Sequence, residues 1–191
     1  MQNAARDILH IRSRSGSEPA RIMRLIVITG SMGAGKTTVM AEASDLLAAR
    51  GVVHAAIDLD ELGIAHLGAR HDDDLPYRNL ESVWHNYREA GIDALLLAAA
   101  VVSRAELERI RGALRATRMV VCRLRAPLEA MQSRIRAREP GMLQGQFVAR
   151  AAALDEMLDA ASLEDFAVVN DGRPVTDVAR EMLVGAGWLS I

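Results

Sequence analysis

Residues 25–37 read LIVITGSMGAGKT, a short apolar run followed directly by a glycine-rich segment. The run Leu25–Thr29 predicts a buried β-strand, and a helical pattern begins at Lys36. Between them, Gly30–Thr37 matches the pattern G-x-x-x-x-G-K-[ST] at every fixed position. Such a segment between strand and helix binds phosphate through backbone N–H groups and the helix N-terminus. We expect a nucleotide phosphate site lined by Gly30, Ser31, Met32, Gly33, Ala34, Gly35, Lys36, Thr37 and Thr38.

Lys36 is the one lysine of the chain, because the other 22 of its 23 Lys and Arg residues are arginines. This skew is typical of a coding bias under which arginine replaces lysine wherever it can serve. Lysine is a compact point charge on a thin stem, whereas arginine is a rigid planar fork. We predict that Lys36 is catalytic and contacts the β- and γ-phosphates, and that the Thr37 hydroxyl ligates Mg²⁺. The alternative is a glycine-rich turn with an exposed lysine.

Composition indicates one globular domain, since half of the 191 residues are hydrophobic. We expect that domain over residues 23–191, preceded by a flexible leader over residues 1–22 that lacks the apolar region of a secretory signal. A net charge of −2 gives no overall basic field for nucleic acid or an anionic membrane, so we expect neither as a partner. The single cysteine, Cys122, excludes a disulfide framework; we interpret it as a buried core residue of a cytoplasmic protein. Both a monomer and a homodimer stay open.

Strand and helix patterns alternate along the rest of the chain, which predicts an α/β fold with a parallel sheet covered on both faces. Further strands are predicted over Val52–Ile57, Ala94–Val102, Met119–Leu124 and Phe166–Val169. Helices are predicted over Lys36–Arg50, Leu75–Arg88, Arg104–Thr117, Pro127–Arg138, Phe147–Ala160 and Val175–Val184. In such sheets ligands bind at the carboxyl ends of the strands, so the residues that follow each strand are the candidates for chemistry.

Two carboxylates follow the second strand, in the sequence Ile57-Asp58-Leu59-Asp60-Glu61. This strand end faces the phosphate loop in a doubly wound sheet. One carboxylate can hold Mg²⁺ through water, and the other can accept a proton from a substrate hydroxyl. Acids are also common at the start of a helix, which is the structural alternative for both.

The third strand has no carboxylate at its carboxyl end, because Asp93 precedes it. A motor ATPase or a GTPase normally needs an aspartate there to hold the metal. The sequence therefore disfavours both classes and assigns the metal and base roles to Asp58 and Asp60.

Arginines end the helix after the fourth strand, where Arg134 and Arg138 share a face at i, i+4 spacing and Pro140-Gly141 breaks the helix. Arginines on a mobile segment can close over a nucleotide and neutralise the transferred phosphoryl group. A solvated basic face is the alternative. The turn Asn170–Pro174 follows the fifth strand; Asp171, Gly172 and Arg173 either frame the adenine there or form a plain turn.

The segment His66–Arg88 lies where a second substrate would bind. It carries Tyr77, Leu80, Trp84 and Tyr87 at helical spacing, which suits either a small-molecule pocket or a stripe packed on the core. Arg78, Arg88 and Arg104 are candidate binders of an anionic group. We interpret His71–Asp74 as a solvated loop rather than a metal site.

The chain resembles the small P-loop kinases of the shikimate kinase, gluconate kinase and chloramphenicol phosphotransferase type. The likeness covers Arg24 to Leu183 and depends on GSMGAGKT, IDLDEL, RLRAPLEAMQSRIRAREPG and VVNDGRPV. It implies a three-layer α/β/α fold like that of nucleoside monophosphate kinases, with a five-stranded parallel sheet and a short lid. It also implies ATP as the donor, Mg²⁺, and a small acceptor with a hydroxyl group.

Residue roles follow from the same resemblance. It implies that Asp60 activates the acceptor hydroxyl and that Asp58 supports the metal. Arg134 would lie against the adenine, and Arg138 or Arg136 would act from the lid. The glycine cluster that shikimate kinases have after the third strand is missing, and so is a nucleotide-kinase substrate signature. The resemblance therefore does not identify the acceptor of this chain.

These observations favour an ATP-dependent small-molecule kinase. Two alternatives stay open: a nucleoside or nucleotide kinase or antibiotic-inactivating phosphotransferase, and a regulatory or toxin-like nucleotide-binding protein with incidental ATP hydrolysis. The arginine pair and the two aspartates favour a kinase, because a protein that only binds nucleotide needs neither.

Overall fold

The computed structural model describes residues 23–68, 72–138 and 141–190. Within these residues the strands form one parallel five-stranded sheet in the order β2-β3-β1-β4-β5. The strands are β1 (Arg24–Thr29), β2 (Ala55–Asp58), β3 (Ala94–Ala98), β4 (Arg118–Arg125) and β5 (Phe166–Val169). The glycine-rich loop, Gly30–Thr37, leaves the central strand β1 and is flanked at that edge by the ends of β3 and β4.

Helices connect successive strands and cover both faces of the sheet. They are α1 (Lys36–Ala48), α2 (Leu59–Leu62), α3 (Leu75–Glu89), α4 (Arg104–Leu114), α5 (Leu128–Arg138), α6 (Gln144–Ala161) and α7 (Val175–Gly185). Parallel strands need such crossovers, and a sheet buried on both sides consists of nearly continuous apolar runs. β3 shows this directly, since all of its residues (ALLLA) are buried.

Alternate residues of β1 point into two separate cores, as the twofold periodicity of a strand requires. Ile26 and Ile28 pack in the core that contains the apolar residues of α1 and α7. Leu25 and Val27 pack in the other core, with the apolar residues of α3 and α4. The architecture therefore has three layers, α/β/α, as the sequence predicts.

All predicted elements are present in the predicted order over the described residues, but one short helix was not predicted and some boundaries differ. β3 ends at Ala98, although the apolar run continues to Val102. Beyond Ala98 the chain leaves the ladder and bonds to the end of β1, where the Val101 N–H donates to Thr29 Oγ1 at 3.1 Å. β2 starts at Ala55 instead of Val52 and includes Asp58. The short helix α2, which the pattern did not predict, follows at once.

Cys122 is fully buried in β4, which confirms its assignment to the core, and burial raises the pKa of its thiol to about 12. The proposed leader, residues 1–22, lies outside the described residues. Across the ranges that are described, no helix combines the length and apolar character needed to cross a membrane.

A buried arginine of β4 fixes the position of α6. Arg123 is 1% exposed, although its neighbours Cys122 and Leu124 are apolar core residues. Its guanidinium donates to Asp159 Oδ1 at 2.7 Å and to Asp155 Oδ1 at 2.8 Å, both on α6. A buried charge is tolerated only when it is paired and hydrogen-bonded, so this contact specifies where α6 lies on the sheet.

Candidate active site

The glycine-rich loop has backbone geometry that requires glycine at two positions. Gly33 and Gly35 have φ values of 79° and 95°, in the left-handed region that other residues avoid. A Cβ atom at Gly33 would collide with the backbone carbonyl of Met131 in α5, and one at Gly35 with the side-chain amide of Asn170. The loop can therefore lie this close to its neighbours only with glycine at both places.

Groups from three other elements hold the loop in place. The Asn170 Nδ2 group, after β5, donates to the Ala34 carbonyl at 2.8 Å. Arg134 of α5 donates to the Gly33 carbonyl at 3.2 Å and to the Asn170 carbonyl at 2.9 Å. Ser31 is fully buried, and its Oγ donates to the Ala151 carbonyl of α6 at 2.6 Å. The Ser31 hydroxyl is thus engaged, and Ser31 can contact a phosphate only through its backbone.

Lys36 folds back across the loop. Its Nζ donates to the Gly30 carbonyl at 3.1 Å and to the Ser31 carbonyl at 3.4 Å. Burial lowers the pKa of this ammonium group, although Asp60 and Asp58 act in the opposite direction, and Arg138 lowers it further. A nearby anion favours the charged form of such a group, so arrival of a phosphate would stabilise the lysine.

Thr37 and Asp58 form the pair that could hold a metal ion. Thr37 Oγ1 donates to Asp58 Oδ2 at 2.6 Å, and Asp58 Oδ1 accepts the Asp60 N–H at 3.1 Å. Mg²⁺ is bound by a few protein oxygens, and substrate phosphates and water complete its octahedron. A hydroxyl and a carboxylate oxygen on the loop's rim fit that donor set. No group of three or more His, Cys, Asp or Glu side chains gathers as a metal site in the described ranges.

Asp60 stands in the first turn of α2, where Asp58 caps the helix. The residue is exposed at the surface of a cleft, and the protein atoms around its carboxylate reduce its hydration enough to raise its pKa. Asp58 acts in the same direction, whereas the positive charges of Lys36 and Arg150 lower the pKa of Asp60. Both predicted carboxylates therefore meet the loop at the end of β2, within electrostatic range of Lys36. Asp58 is also the N-cap of α2 and Asp60 lies in its first turn, so both acids have the role at a helix start that was the alternative interpretation.

The three arginines at the end of α5 have different positions. Arg134 contacts the loop directly, as described above, and lies 3.6 Å from the Asp171 carboxylate. Arg138 is exposed but close enough to Lys36 to lower its pKa. The exposed Arg136 has its backbone carbonyl engaged by Gln144 Nε2 at 2.9 Å. The i, i+4 spacing thus brings Arg134 and Arg138 to the loop's side, whereas Pro140, the predicted helix breaker, lies outside the described residues.

The turn after β5 reaches the loop through a residue that the sequence prediction left out of the site. Asn170 binds Ala34 with its side chain and Arg134 with its carbonyl. Arg173 instead pairs with Glu181 of α7 at 2.6 Å, and Gly172 is exposed. The available signal was an amide side chain directly after a strand that ends beside the loop. Of the remaining loop residues, Met32 is half-buried and Thr38 is exposed at the start of α1.

An open cleft of about 940 Å³ lies beside Asp60, between α2, α3 and the start of α4. We call it the α2–α3 cleft. Its described polar lining consists of Asp60, His66, Asp72, Asp73, Tyr77, Glu106, Arg109 and Arg150. Part of the segment His66–Arg88 does line this cavity beside Asp60, as expected from its place in the chain.

The arginines that line the cleft are not the ones that the sequence predicted. None of Arg78, Arg88 and Arg104 lines the cleft within the described residues, and Arg78 pairs with Asp72 at 2.6 Å on the surface. Arg109 and Arg150 line it instead, from α4 and α6, which the local pattern did not single out. Their approach depends on how the helices pack, which no spacing along the chain encodes.

Only one aromatic residue of the α3 stripe reaches the cleft within the described part of the chain. Tyr77 lines it, with its ring under the Arg109 guanidinium at 3.9 Å. Trp84 is 4% exposed and donates to the Leu114 carbonyl at 3.1 Å. Tyr87 packs against the same core. The stripe therefore serves mainly the core. His71 of the predicted solvated loop lies outside the described residues.

The end of β3 bears no carboxylate, in agreement with the sequence. Glu106 of α4 comes close to this end, but its Oε2 accepts the Val102 and Ser103 N–H groups at 2.8 and 3.2 Å. With Ser103 it forms a capping box at the start of α4. One of its oxygens is thus committed to the helix end.

Comparison with known proteins supports the fold. No protein-family model matches the sequence, and no curated protein is significantly similar to it. Among solved structures, a gluconokinase from Sinorhizobium meliloti is 18% identical, with a TM-score of 0.59 over 87% of this chain and 93% of that one. A shikimate kinase from Acinetobacter baumannii in complex with shikimate is 20% identical, with a TM-score of 0.56 over 88% and 96%.

A third similar structure is the Mycobacterium tuberculosis APS kinase in complex with AMPPNP and APS. It is 21% identical, with a TM-score of 0.57 over 86% of this chain and 97% of that one. At these identities the likeness concerns the fold. The predicted resemblance is confirmed at that level: the chain has the three-layer α/β/α architecture, with a five-stranded parallel sheet, of these small P-loop kinases.

Proposed function

We propose that this chain transfers the γ-phosphoryl group of ATP to a hydroxyl group of a small molecule bound in the α2–α3 cleft. The observation that carries the proposal is the position of Asp60. Its carboxylate lines the cleft and interacts electrostatically with Lys36 of the glycine-rich loop. A candidate base thus stands between a site suited to phosphate and a cavity large enough for a metabolite.

The phosphoryl donor is held by the glycine-rich loop in this proposal. The backbone N–H groups of the loop and of the start of α1 bind the phosphate oxygens. Lys36 Nζ exchanges the Gly30 and Ser31 carbonyls for oxygens of the β- and γ-phosphates. Arg134 and Asn170 keep the loop in shape, and Arg134 borders the adenine. Met32, Thr38, Asp171, Gly172 and Arg173 complete the proposed nucleotide surroundings.

Mg²⁺, held by Thr37 and Asp58 with the nucleotide, would neutralise phosphate charge and align the donor. The protein's own contribution to the transfer comes from three side chains. Asp60 orients the acceptor hydroxyl and takes its proton as the oxygen bonds to the γ-phosphorus. Lys36 stabilises charge on the phosphoryl oxygens as the bond to the bridging oxygen breaks and ADP leaves. Arg138, with Arg136 as its alternative, adds positive charge from the end of α5.

The raised pKa of Asp60 suits this role. A base works best when its pKa approaches the working pH, because it then combines an ionised state with proton affinity. Loss of hydration provides the upward shift, and Lys36 opposes it so that the carboxylate stays available. With no carboxylate at the end of β3, Asp58 and Asp60 are the two acids whose charges raise the pKa of Lys36.

Acceptor-dependent ADP release tests the proposal. The full chain is incubated with ATP and Mg²⁺ and a panel of sugars, sugar acids, amino alcohols, nucleosides and nucleotides. We expect at least one hydroxyl compound to raise ADP release well above the rate with ATP alone. A rate that no compound changes would instead support a regulatory nucleotide-binding protein with incidental hydrolysis. Activity confined to nucleosides or nucleotides would redirect the proposal to that class of kinase.

A further inference from the structure

The buried side chain of Ser31 joins the glycine-rich loop to α6. Ser31 and Ala151 are both fully buried, and Ser31 Oγ donates to the Ala151 carbonyl at 2.6 Å across 120 positions of the sequence. A backbone carbonyl has two lone pairs, so it can accept this bond in addition to the one within its own helix. The bond therefore links two elements without being part of the regular structure of either.

The same helix presents a positive charge to the α2–α3 cleft. Successive residues of an α-helix lie about 100° apart around its axis. Ala151 faces the loop, whereas the preceding residue, Arg150, is exposed and lines the cleft beside Asp60. The Arg150 charge lowers the pKa of the Asp60 carboxylate. A shift of this part of α6 would therefore change the surroundings of the candidate base.

The two halves of α6 are anchored to different elements. In the second half, Asp155 and Asp159 bind the buried Arg123 guanidinium of β4 at 2.8 and 2.7 Å. In the first half, Ala151 accepts the Ser31 hydroxyl of the loop. A buried, paired arginine holds the second half on the sheet, because separation of the ions would leave an uncompensated charge. The first half is thus the part of α6 whose position depends on the loop.

The link begins at a residue whose carbonyl also binds the loop lysine. Lys36 Nζ donates to the Ser31 carbonyl at 3.4 Å and to the Gly30 carbonyl at 3.1 Å. In the proposed function Lys36 leaves both carbonyls for oxygens of the phosphates. The backbone of Ser31 then loses a partner while its side chain still holds α6. Ser31 is therefore placed both to experience the arrival of the nucleotide and to act on the helix.

We propose that Ser31 is a positioning residue, which transmits occupation of the phosphate site through α6 to the α2–α3 cleft and Asp60. This inference rests on the proposed phosphotransferase function and names how the two halves of that site are coupled. One buried hydrogen bond carries the coupling. Loss of a single hydrogen bond changes an equilibrium about 2- to 10-fold, so the coupling between the two halves should have that size.

Hydrogen exchange tests the inference without any acceptor. The exchange of backbone amides is followed by NMR in the full chain, with and without AMP-PNP and Mg²⁺. Occupation of the loop should slow exchange about 2- to 10-fold in the first half of α6, because the link holds that half more firmly. In Ser31→Ala the amides of residues 30–37 should still respond to the nucleotide, whereas the response of α6 should be lost.

Two further variants separate a link from a general loss of stability. Ser31→Cys keeps the shape of the side chain but has only a weak donor, so it should retain part of the α6 response. The matched control is Ser44→Ala, because Ser44 Oγ of α1 also bonds to a distant residue, His54 Nε2, at 2.8 Å. It should leave the responses of the loop and of α6 unchanged.

Three results would overturn the inference. The first is an α6 that does not respond to AMP-PNP in the parent, and the second is an α6 response that persists in Ser31→Ala. The third is loss of the loop response together with that of α6 in Ser31→Ala, which would mean that Ser31 shapes the loop itself.

Kinetics with an acceptor that is phosphorylated extend the test. Ser31→Ala should raise the acceptor KM about 2- to 10-fold, while the Kd of AMP-PNP without acceptor stays within twofold of the parent. The acidic decline of kcat should move to higher pH, because α6 no longer holds the Arg150 charge beside Asp60. In an Arg150→Gln background the same substitution should cause no further shift.

An unchanged KM and pH profile in Ser31→Ala would contradict the inference and leave the proposed function standing, as would a full further shift in the Arg150→Gln background. Missing turnover with every acceptor would instead count against the proposed function. The hydrogen-exchange comparison would then still decide whether Ser31 links the loop to α6.

Discussion

The glycine-rich loop carries Lys36 and the α2–α3 cleft is lined by Asp60, and the two regions are built in different ways. The loop is shaped by backbone: glycines with positive φ, carbonyls bound by Asn170 and Arg134, and a buried serine. The cleft is shaped by side chains that α2, α3, α4 and α6 bring together. The loop backbone packs closely on Met131 of α5 and on Asn170, whereas the cleft is open.

The difference shows which half of the site is fixed by local sequence. A loop made of backbone N–H groups is the same for any nucleotide triphosphate, so one short pattern can specify it. A cleft made of side chains from separate elements can be changed one residue at a time without harm to the fold. The residues that bind phosphate therefore lie in one segment of the sequence, whereas the residues that select the acceptor are distributed over several segments.

Replacement of Lys36 should have the largest effect, because the loop side leaves no freedom for another cation. Lys36→Arg keeps the charge, but the planar fork cannot occupy the space between the Gly30 and Ser31 carbonyls and the phosphates. We expect phosphoryl transfer to fall about 10³-fold, comparable to loss of a key electrostatic group. Steady-state kinetics with a saturating acceptor measure it. An exposed control, Arg180→Lys, should stay within twofold of the parent.

Most of the activity surviving in Lys36→Arg would contradict the contact between Lys36 and phosphate. The loop would then be a structural turn, and the contrast with the cleft would lose its chemical meaning.

Asp60 links the two regions, and its removal should have the next largest effect. Asp60→Asn should lower kcat about 10²-fold while ATP still binds, because the amide cannot take the hydroxyl proton. Turnover in the parent should decline as the pH falls through the pKa of Asp60, since protonation removes the base. This pKa is raised, so the decline should lie above the ordinary aspartate value of 3.8. The pH profile of kcat measures it.

Two variants sharpen the assignment. Asp60→Asn should abolish the acidic decline, and Arg150→Gln should move it to higher pH, because Arg150 lowers the pKa of Asp60. Unchanged kcat in Asp60→Asn would transfer the base role to Asp58.

The close packing of the loop predicts a smaller, mainly structural effect. Gly33→Ala would strain a positive φ and force Cβ into the Met131 carbonyl, so we expect about 2 kcal/mol of destabilisation and about tenfold weaker ATP binding. Gly51→Ala is the matched control, since Gly51 has a φ of 67° but an added Cβ would meet no atom within 4 Å. Denaturant unfolding and nucleotide titration measure both. Equal destabilisation by the two variants, with ATP binding retained, would mean that close approach to α5 contributes nothing.

The sequence predicted the order of the sheet's strands along the chain and most helices because their apolar periodicity is strong. The predicted ends of elements were wrong where apolar residues continue past the element, as at Val101 beyond β3. The loop was predictable because one contiguous pattern encodes it, and Asp58 and Asp60 because they follow a strand directly.

The rest of the site depends on tertiary packing. Arg150 reaches the cleft only because Arg123 and Ser31 fix α6, and Arg123 itself lay inside a run predicted as plain apolar strand. The spacing of the aromatic residues of α3 was compatible with both a pocket and a core. In the structure Tyr77 lines the cleft, whereas Trp84 is buried in the core. Spacing along a helix cannot make that distinction.

The fate of the γ-phosphoryl group tests the central claim most directly. ATP labelled with ³²P at the γ position is incubated with the full chain, Mg²⁺ and the acceptor that most stimulates ADP release, and the products are separated. We predict label on a hydroxyl of the acceptor in amounts equal to ADP, and label formed about 10²-fold more slowly with Asp60→Asn. Label recovered wholly as inorganic phosphate, with or without the acceptor, would contradict the account.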